Sequence, residues 1–116
     1  MRKIEQQMNR AIVNKNDWKV DSNHSNTSVE YNSNTNCSTV VLYNTAIATY
    51  DHNTQALKLN TGGWHSNTTK SRLNAILDEL ITGARVYQKA FDWYLSYNKQ
   101  TVDFWDGMIL SNGEVV

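Results

Sequence analysis

The sequence has no proline, a single cysteine, no excess of either charge and no long apolar run. Each shortage excludes something. Without proline, no run is barred from a sheet interior by a missing N–H or a fixed φ. Cys37 stands alone, so an intrachain disulfide is excluded; it is read as a small residue at a strand start. The chain has 116 residues, near the commonest domain size, and a domain of that size buries about two thirds of its unfolded surface without needing staples. Lysine plus arginine and aspartate plus glutamate number 11 each, for a net charge of zero. That balance argues against a strongly basic nucleic-acid binder and against an acidic DNA mimic, and leaves only local patches to consider. No apolar stretch approaches a membrane span. The opening Met1-Arg2-Lys3-Ile4-Glu5-Gln6-Gln7-Met8 lacks the apolar centre of a secretory signal. The expected setting is a cytoplasm, with no membrane partner. The sequons at Asn23, Asn26, Asn36 and Asn67 are then incidental to an asparagine-rich chain.

What is present points to helix and strand together. Residues 2 to 16 carry Ile4, Met8, Ala11 and Ile12 at helical spacing, a narrow stripe that leaves open loose docking or service to a partner. Residues 21 to 28 are polar and read as a linker or exposed loop. Ser28 to Tyr31 is a marginal strand. Thr39 to Tyr43 is β-branched and aromatic, Asn44-Thr45 reads as a two-residue turn, and Ala46 to Tyr50 and Gln55 to Leu59 continue the meander. After Asn60-Thr61-Gly62-Gly63-Trp64, either Ser66 or Asn67 caps a second helix. Its Leu73, Ile76, Leu77, Leu80 and Ile81 make a stripe wide enough to cover a sheet, and Gly83 is placed to end it. Arg85 to Lys89 and Trp93 to Tyr97 are further strands. Thr101 to Trp105, Asp106-Gly107 and Met108 to Leu110 read as a hairpin. The expected fold is α+β: an antiparallel meander of about six to seven strands, one central amphipathic helix packed on one face, and an N-terminal helix. Residues 1–20 would hold the N-terminal helix and the start of a linker, and 21–116 a single α+β domain.

No catalytic or metal motif stands out. His24, Cys37, His52 and His65 lie about a dozen residues apart, without the short spacing that lets one turn present two ligands. No nucleophile signature surrounds Cys37. Asp78 and Glu79 are adjacent on a helix and point in different directions, while Asp103 and Asp106 flank a turn. The expectation is therefore no enzyme, no cofactor and no metal. Two features could bind something. Gly62 and Gly63 precede a helix whose start holds Thr68, Thr69, Lys70 and Arg72, a candidate anion site. Aromatics crowd the C-terminal strands. Alternation puts Trp93, Leu95 and Tyr97 on one face and Tyr94 and Ser96 on the other. The expected outward patch comprises Tyr87, Tyr94 and Trp105, with Arg85 and Lys89 at its edge.

Leu57-Lys58-Leu59-Asn60-Thr61-Gly62-Gly63-Trp64, Thr68-Thr69-Lys70-Ser71-Arg72-Leu73-Asn74, Val86-Tyr87-Gln88-Lys89 and Trp93-Tyr94 together resemble a family of small uncharacterised proteins of tailed bacteriophages. Ile4-Glu5-Gln6 and the region of Trp18 are similar to it as well. The chain departs from that pattern at Asn44, where a glycine often makes the turn. The resemblance implies a phage origin and a role in the cytoplasm of an infected bacterium. It implies no mechanism. The leading functional expectation is a non-catalytic protein that binds a host or anti-phage defence component. The alternatives are a small nucleic-acid-binding protein, a binder of a small nucleotide signal, and association with a second copy of the chain.

Phosphate-driven DNA binding scales with the number of lysines and arginines that meet phosphates. A chain of zero net charge should show no submicromolar affinity for random duplex DNA at physiological salt. A filter-binding titration across salt concentrations checks this; tight binding that is lost at high salt would refute it.

Overall fold

The first helix, α1, spans Lys3–Val13 and ends without help from glycine. The amides of Lys15 and Asn16 donate to Ile12 and Ala11 carbonyls, and Lys15 takes φ +57°. This is the Schellman arrangement, with a lysine where glycine is usual. The computed structural model describes residues 2–20, 26–112 and 114–116. The linker expected at 21–28 lies outside them as far as residue 25, and so does His24. Along the described chain α1 is followed by β1 (Trp18–Lys19), β2 (Thr27–Asn32), β3 (Cys37–Leu42), β4 (Thr45–Asp51) and β5 (Ala56–Leu59), then α2 (Asn67–Leu80), then β6 (Arg85–Lys89), β7 (Asp92–Tyr97), β8 (Gln100–Asp103), β9 (Met108–Ser111) and β10 (Glu114–Val115).

The strands form two antiparallel sheets. The larger has the order β1-β2-β3-β4-β5-β9-β10 and the smaller β6-β7-β8. The α+β expectation holds, but the single meander of six to seven strands does not. The main departure is at Asp106-Gly107. β8 pairs with β7, and β9 pairs with β5, so this segment crosses between sheets and is no hairpin. Long-range bonds hold the crossing. Gly107 N–H donates to Leu59 O at 2.8 Å, and Asp106 Oδ1 accepts from the Thr61 amide and hydroxyl at 2.7 and 2.8 Å. Burial decides the partner, because Met108 beside Leu59 and Leu110 beside Leu57 are all buried in the core. The β3–β4 hairpin turns at Tyr43-Asn44, one residue earlier than expected, since Leu42 pairs with Thr45. The marginal strand at 28–31 is a full six-residue β2, paired along its whole length with β3.

Register lines up Val29, Val40, Ala48, Leu59 and Met108 across five neighbouring strands, and all five are buried. This apolar row is part of the floor on which the helices sit. Ser66 caps α2 through Oγ, which accepts from Thr69 N–H at 3.1 Å. Leu73, Ile76 and Leu77 are fully buried, Ile81 lies buried just past the helix end, and Leu80 is half-buried. Gly83 does not end the helix; it takes φ +90° in the turn that follows. Every residue from Arg72 to Leu77 is buried, so α2 is covered on more than one face. The large sheet, β6 and α1 all pack against it.

The narrow stripe on α1 left open loose docking or service to a partner; in the structure α1 packs against α2 and β2. Polar groups complete the contact. Glu5 Oε2 accepts from Arg72 Nη1 at 2.8 Å and from Ser71 Oγ at 2.6 Å. Arg72 Nε donates to Thr27 Oγ1 at 3.1 Å, and Asn9 Nδ2 donates to Ala75 O at 2.9 Å. Both side chains of the ion pair are 4% exposed. Removing one partner of such a pair leaves an uncompensated buried charge, so Glu5→Ala should cost about 3–5 kcal/mol. Leu77→Ala should cost about 2–5 kcal/mol through its cavity. Reversible chemical denaturation measures both; a cost below about 0.5 kcal/mol, the range of surface changes, would contradict the burial.

Candidate functional site

The small sheet has one face turned to the core and one turned away from it. Val86, Trp93 and Leu95 are buried, with Tyr97, Val102 and Phe104 packed against the same core. Alternation then sends Arg85, Tyr87 and Lys89 of β6 and Tyr94 and Ser96 of β7 to the other side. Register sets Tyr87 beside Tyr94, and Tyr94 beside Asp103. The two tyrosine rings stack with centroids 5.5 Å apart. Trp105 follows β8 and is 46% exposed. The sheet is fastened to α2 by the Asn74 side chain, which donates to Val86 O at 2.9 Å and accepts from Val86 N–H at 2.7 Å. A side-chain amide thus occupies the edge of β6 that a strand would otherwise seek.

One residue of this face escaped the sequence reading. Phe91 sits at the β6–β7 tip and is 93% exposed. Ala90 and Phe91 take φ +51° and +70°, as a type I′ turn requires. The signal was there to read: a two-residue gap between β-prone runs puts its own side chains at a tip.

The expected anion site fares differently, because its donors are engaged elsewhere. Gly62 N–H donates to Asn60 Oδ1 at 3.0 Å and Gly63 N–H to Thr61 Oγ1 at 3.1 Å. Thr69 is buried, its amide given to Ser66 Oγ. Arg72 is turned into the core toward Glu5. Lys70 Nζ lies 5.9 Å from the centre of the Trp93 ring, a cation–π position. Thr68 and Lys70 stand half-buried at the helix start, and the Lys70 amide donates to Ser66 O at 3.1 Å. The structure instead makes Thr61–Trp64 a self-bonded turn. Gly62 has φ +64°, and a Cβ there would lie 2.6 Å from Thr45 Cγ2.

That close approach shapes a cleft of about 400 Å³ between the β3–β4 turn, the Thr61–Ser66 loop and the start of α2. Tyr43 and Trp64 line it, each 69% exposed.

The remaining titratable candidates are structural in their contacts. His52 Nε2 lies 2.8 Å from Ser38 Oγ, and its ring meets the rings of Tyr31 and Tyr50 edge-on. Burial, aided by the charge of Lys15, holds this imidazole below its usual range. Burial and then Asp51 push the Tyr50 phenol up. His65 packs on Trp93 with centroids 5.0 Å apart. Cys37 opens β3 as a half-buried free thiol. Asp78 and Glu79 are exposed. Among the described residues no three histidine, cysteine or acidic side chains gather to hold a metal ion. No helix of those residues is long and apolar enough to cross a membrane.

A family model described as Kyanoviridae Gp96 protein matches residues 1–111. Comparison with curated proteins and with solved structures finds no match.

At Gly62 the geometry sets a sharp expectation. Gly62→Ala meets both a left-handed φ and the Thr45 methyl, and should destabilise the fold by about 1–3 kcal/mol. Gly63→Ala also has a positive φ, +87°, but no neighbour within 4 Å, and should cost less. Thermal melts of the two variants check the order; equal melting points would mean that the contact with Thr45 is not limiting.

Proposed function

We propose, from the premise that the chain belongs to the Kyanoviridae Gp96 protein family, a family of cyanophage proteins, that this bacteriophage protein acts without catalysis by binding a host or defence protein in the cytoplasm of the infected cell. The observation that carries the reading is the outward face of the small sheet. Tyr87 and Tyr94 stack there, Arg85 and Lys89 lie on the same side, and Phe91 projects from its tip. Aromatic and arginine side chains at the centre of a patch are the usual anchors of protein interfaces. An aromatic ring held almost wholly in water gains by being covered. The chain's charge balance favours this over phosphate-led binding.

Hot-spot residues of this type lose about 2 kcal/mol or more on truncation, roughly 30-fold in affinity. Phe91→Ala and Tyr94→Ala should each lose the partner captured by the unaltered chain from infected-cell lysate, while keeping its melting point. Lys58→Ala, on an exposed strand position of the large sheet, should keep it. Nuclease treatment should leave the capture intact. Capture that disappears with nuclease would favour the nucleic-acid reading. A partner that turns out to be a second copy would make the face a self-interface. Retention by both aromatic variants would end the proposal.

A further inference from the structure

The cleft beside α2 is separate from that face, and its chemistry is of another kind. Its volume of about 400 Å³ falls within the range of small-molecule sites. Leu42 and Ile47 give it a buried apolar floor, while Tyr43 and Trp64 stand at its rim with most of their surface in water. The rest of the wall is hydroxyl and amide: Asn44, Thr45 and Thr68 among them, with no lysine, arginine, aspartate or glutamate.

The backbone adds an independent observation. Tyr43 holds φ +54° at the first position of a two-residue hairpin turn, a place where glycine is unstrained and a bulky side chain is not. Nine non-glycine residues of the described chain have positive φ, and only Tyr43 and Phe91 among them are aromatic. A strained residue that keeps a large exposed ring at the mouth of a cleft points to use of that ring.

We infer that the cleft binds an uncharged planar heteroaromatic ring of the nucleobase class, carried by a free nucleoside. The ring packs against Trp64 and Tyr43, where every base offers a π-face. The Asn44 amide presents one donor and one acceptor side by side, matching the edge of a base. Thr45 and Thr68 hydroxyls serve the remaining polar atoms. The absence of a cation or carboxylate from the lining residues selects a neutral ligand over a charged one.

The test titrates adenosine, guanosine, cytidine and uridine into the full chain, following the Trp64 indole and Tyr43 amide signals by NMR. At least one nucleoside should give saturable shifts. Trp64→Ala and Tyr43→Gly should each weaken that binding about tenfold or more, the scale of one lost stacking partner. Tyr43→Gly should at the same time melt no lower than the unaltered chain, because it relieves the turn. Phe91→Ala should bind the nucleoside unchanged, which separates this site from the aromatic face. No saturable shift at millimolar nucleoside, or binding retained in both cleft variants, overturns the inference. So does saturation by N-acetyl-tyrosinamide alone, which would make the cleft a socket for a protein side chain.

Discussion

The covering of helix α2 is the constraint on which the rest of the structure depends. Six residues in succession, Arg72 to Leu77, are buried, and no single sheet can cover all sides of a helix. The large sheet covers part, and α1 and the small sheet cover the rest. Each cover is tied down by a polar contact specific to it. Glu5 on α1 neutralises Arg72, and Asn74 takes both backbone groups of Val86 on β6. A buried guanidinium without Glu5 would cost more than the apolar contacts around it return. The ion pair thus ties α1 to α2 at one point deep in the core. Thr27 Oγ1, accepting from Nε of the same arginine, extends the lock to β2.

This arrangement explains which aromatics of the small sheet turn away from the core. Its inner face is spent on α2 and the core, through Val86, Trp93 and Leu95. Strand alternation then leaves Tyr87 and Tyr94 on the side away from that core, half-buried and stacked on each other. Scarcity of glycine reinforces the effect. With five glycines in the chain, several tight turns are built from other residues, and at two hairpin tips those residues are aromatic, Tyr43 and Phe91. The topology and the turns thus set where the exposed rings stand. They stand at the cleft, Tyr43 and Trp64, at the β6–β7 tip, Phe91, and just past β8, Trp105.

The elements whose signal is local were legible. The stripe of Leu73, Ile76 and Leu77 marked α2, and Ser66 or Asn67 marked its start, because helical periodicity and capping are set within a few residues; the structure takes Ser66. The alternation in Trp93 to Tyr97 told the inward from the outward side for the same reason. The expected patch of Tyr87, Tyr94 and Trp105 with Arg85 and Lys89 rested on the same alternation, which in the structure puts Tyr87 beside Tyr94. Phe91 was missed only because the gap between strands was not treated as a place of display.

What tertiary structure alone decided is everything that required choosing a partner across the chain. Asp106-Gly107 has the local chemistry of a hairpin turn, yet β9 leaves β8 and joins β5, because Met108 and Leu110 are buried there beside Leu59 and Leu57. Arg72 and the Gly62-Gly63 amides read as anion donors, yet Glu5, Asn60 and Thr61 hold them. Sequence determines helix faces, strand faces and turns, since these depend on neighbours along the chain. Sheet membership and the fate of each polar group depend on which surfaces must be buried together, and 66 residues separate Ser71 from the carboxylate it bonds.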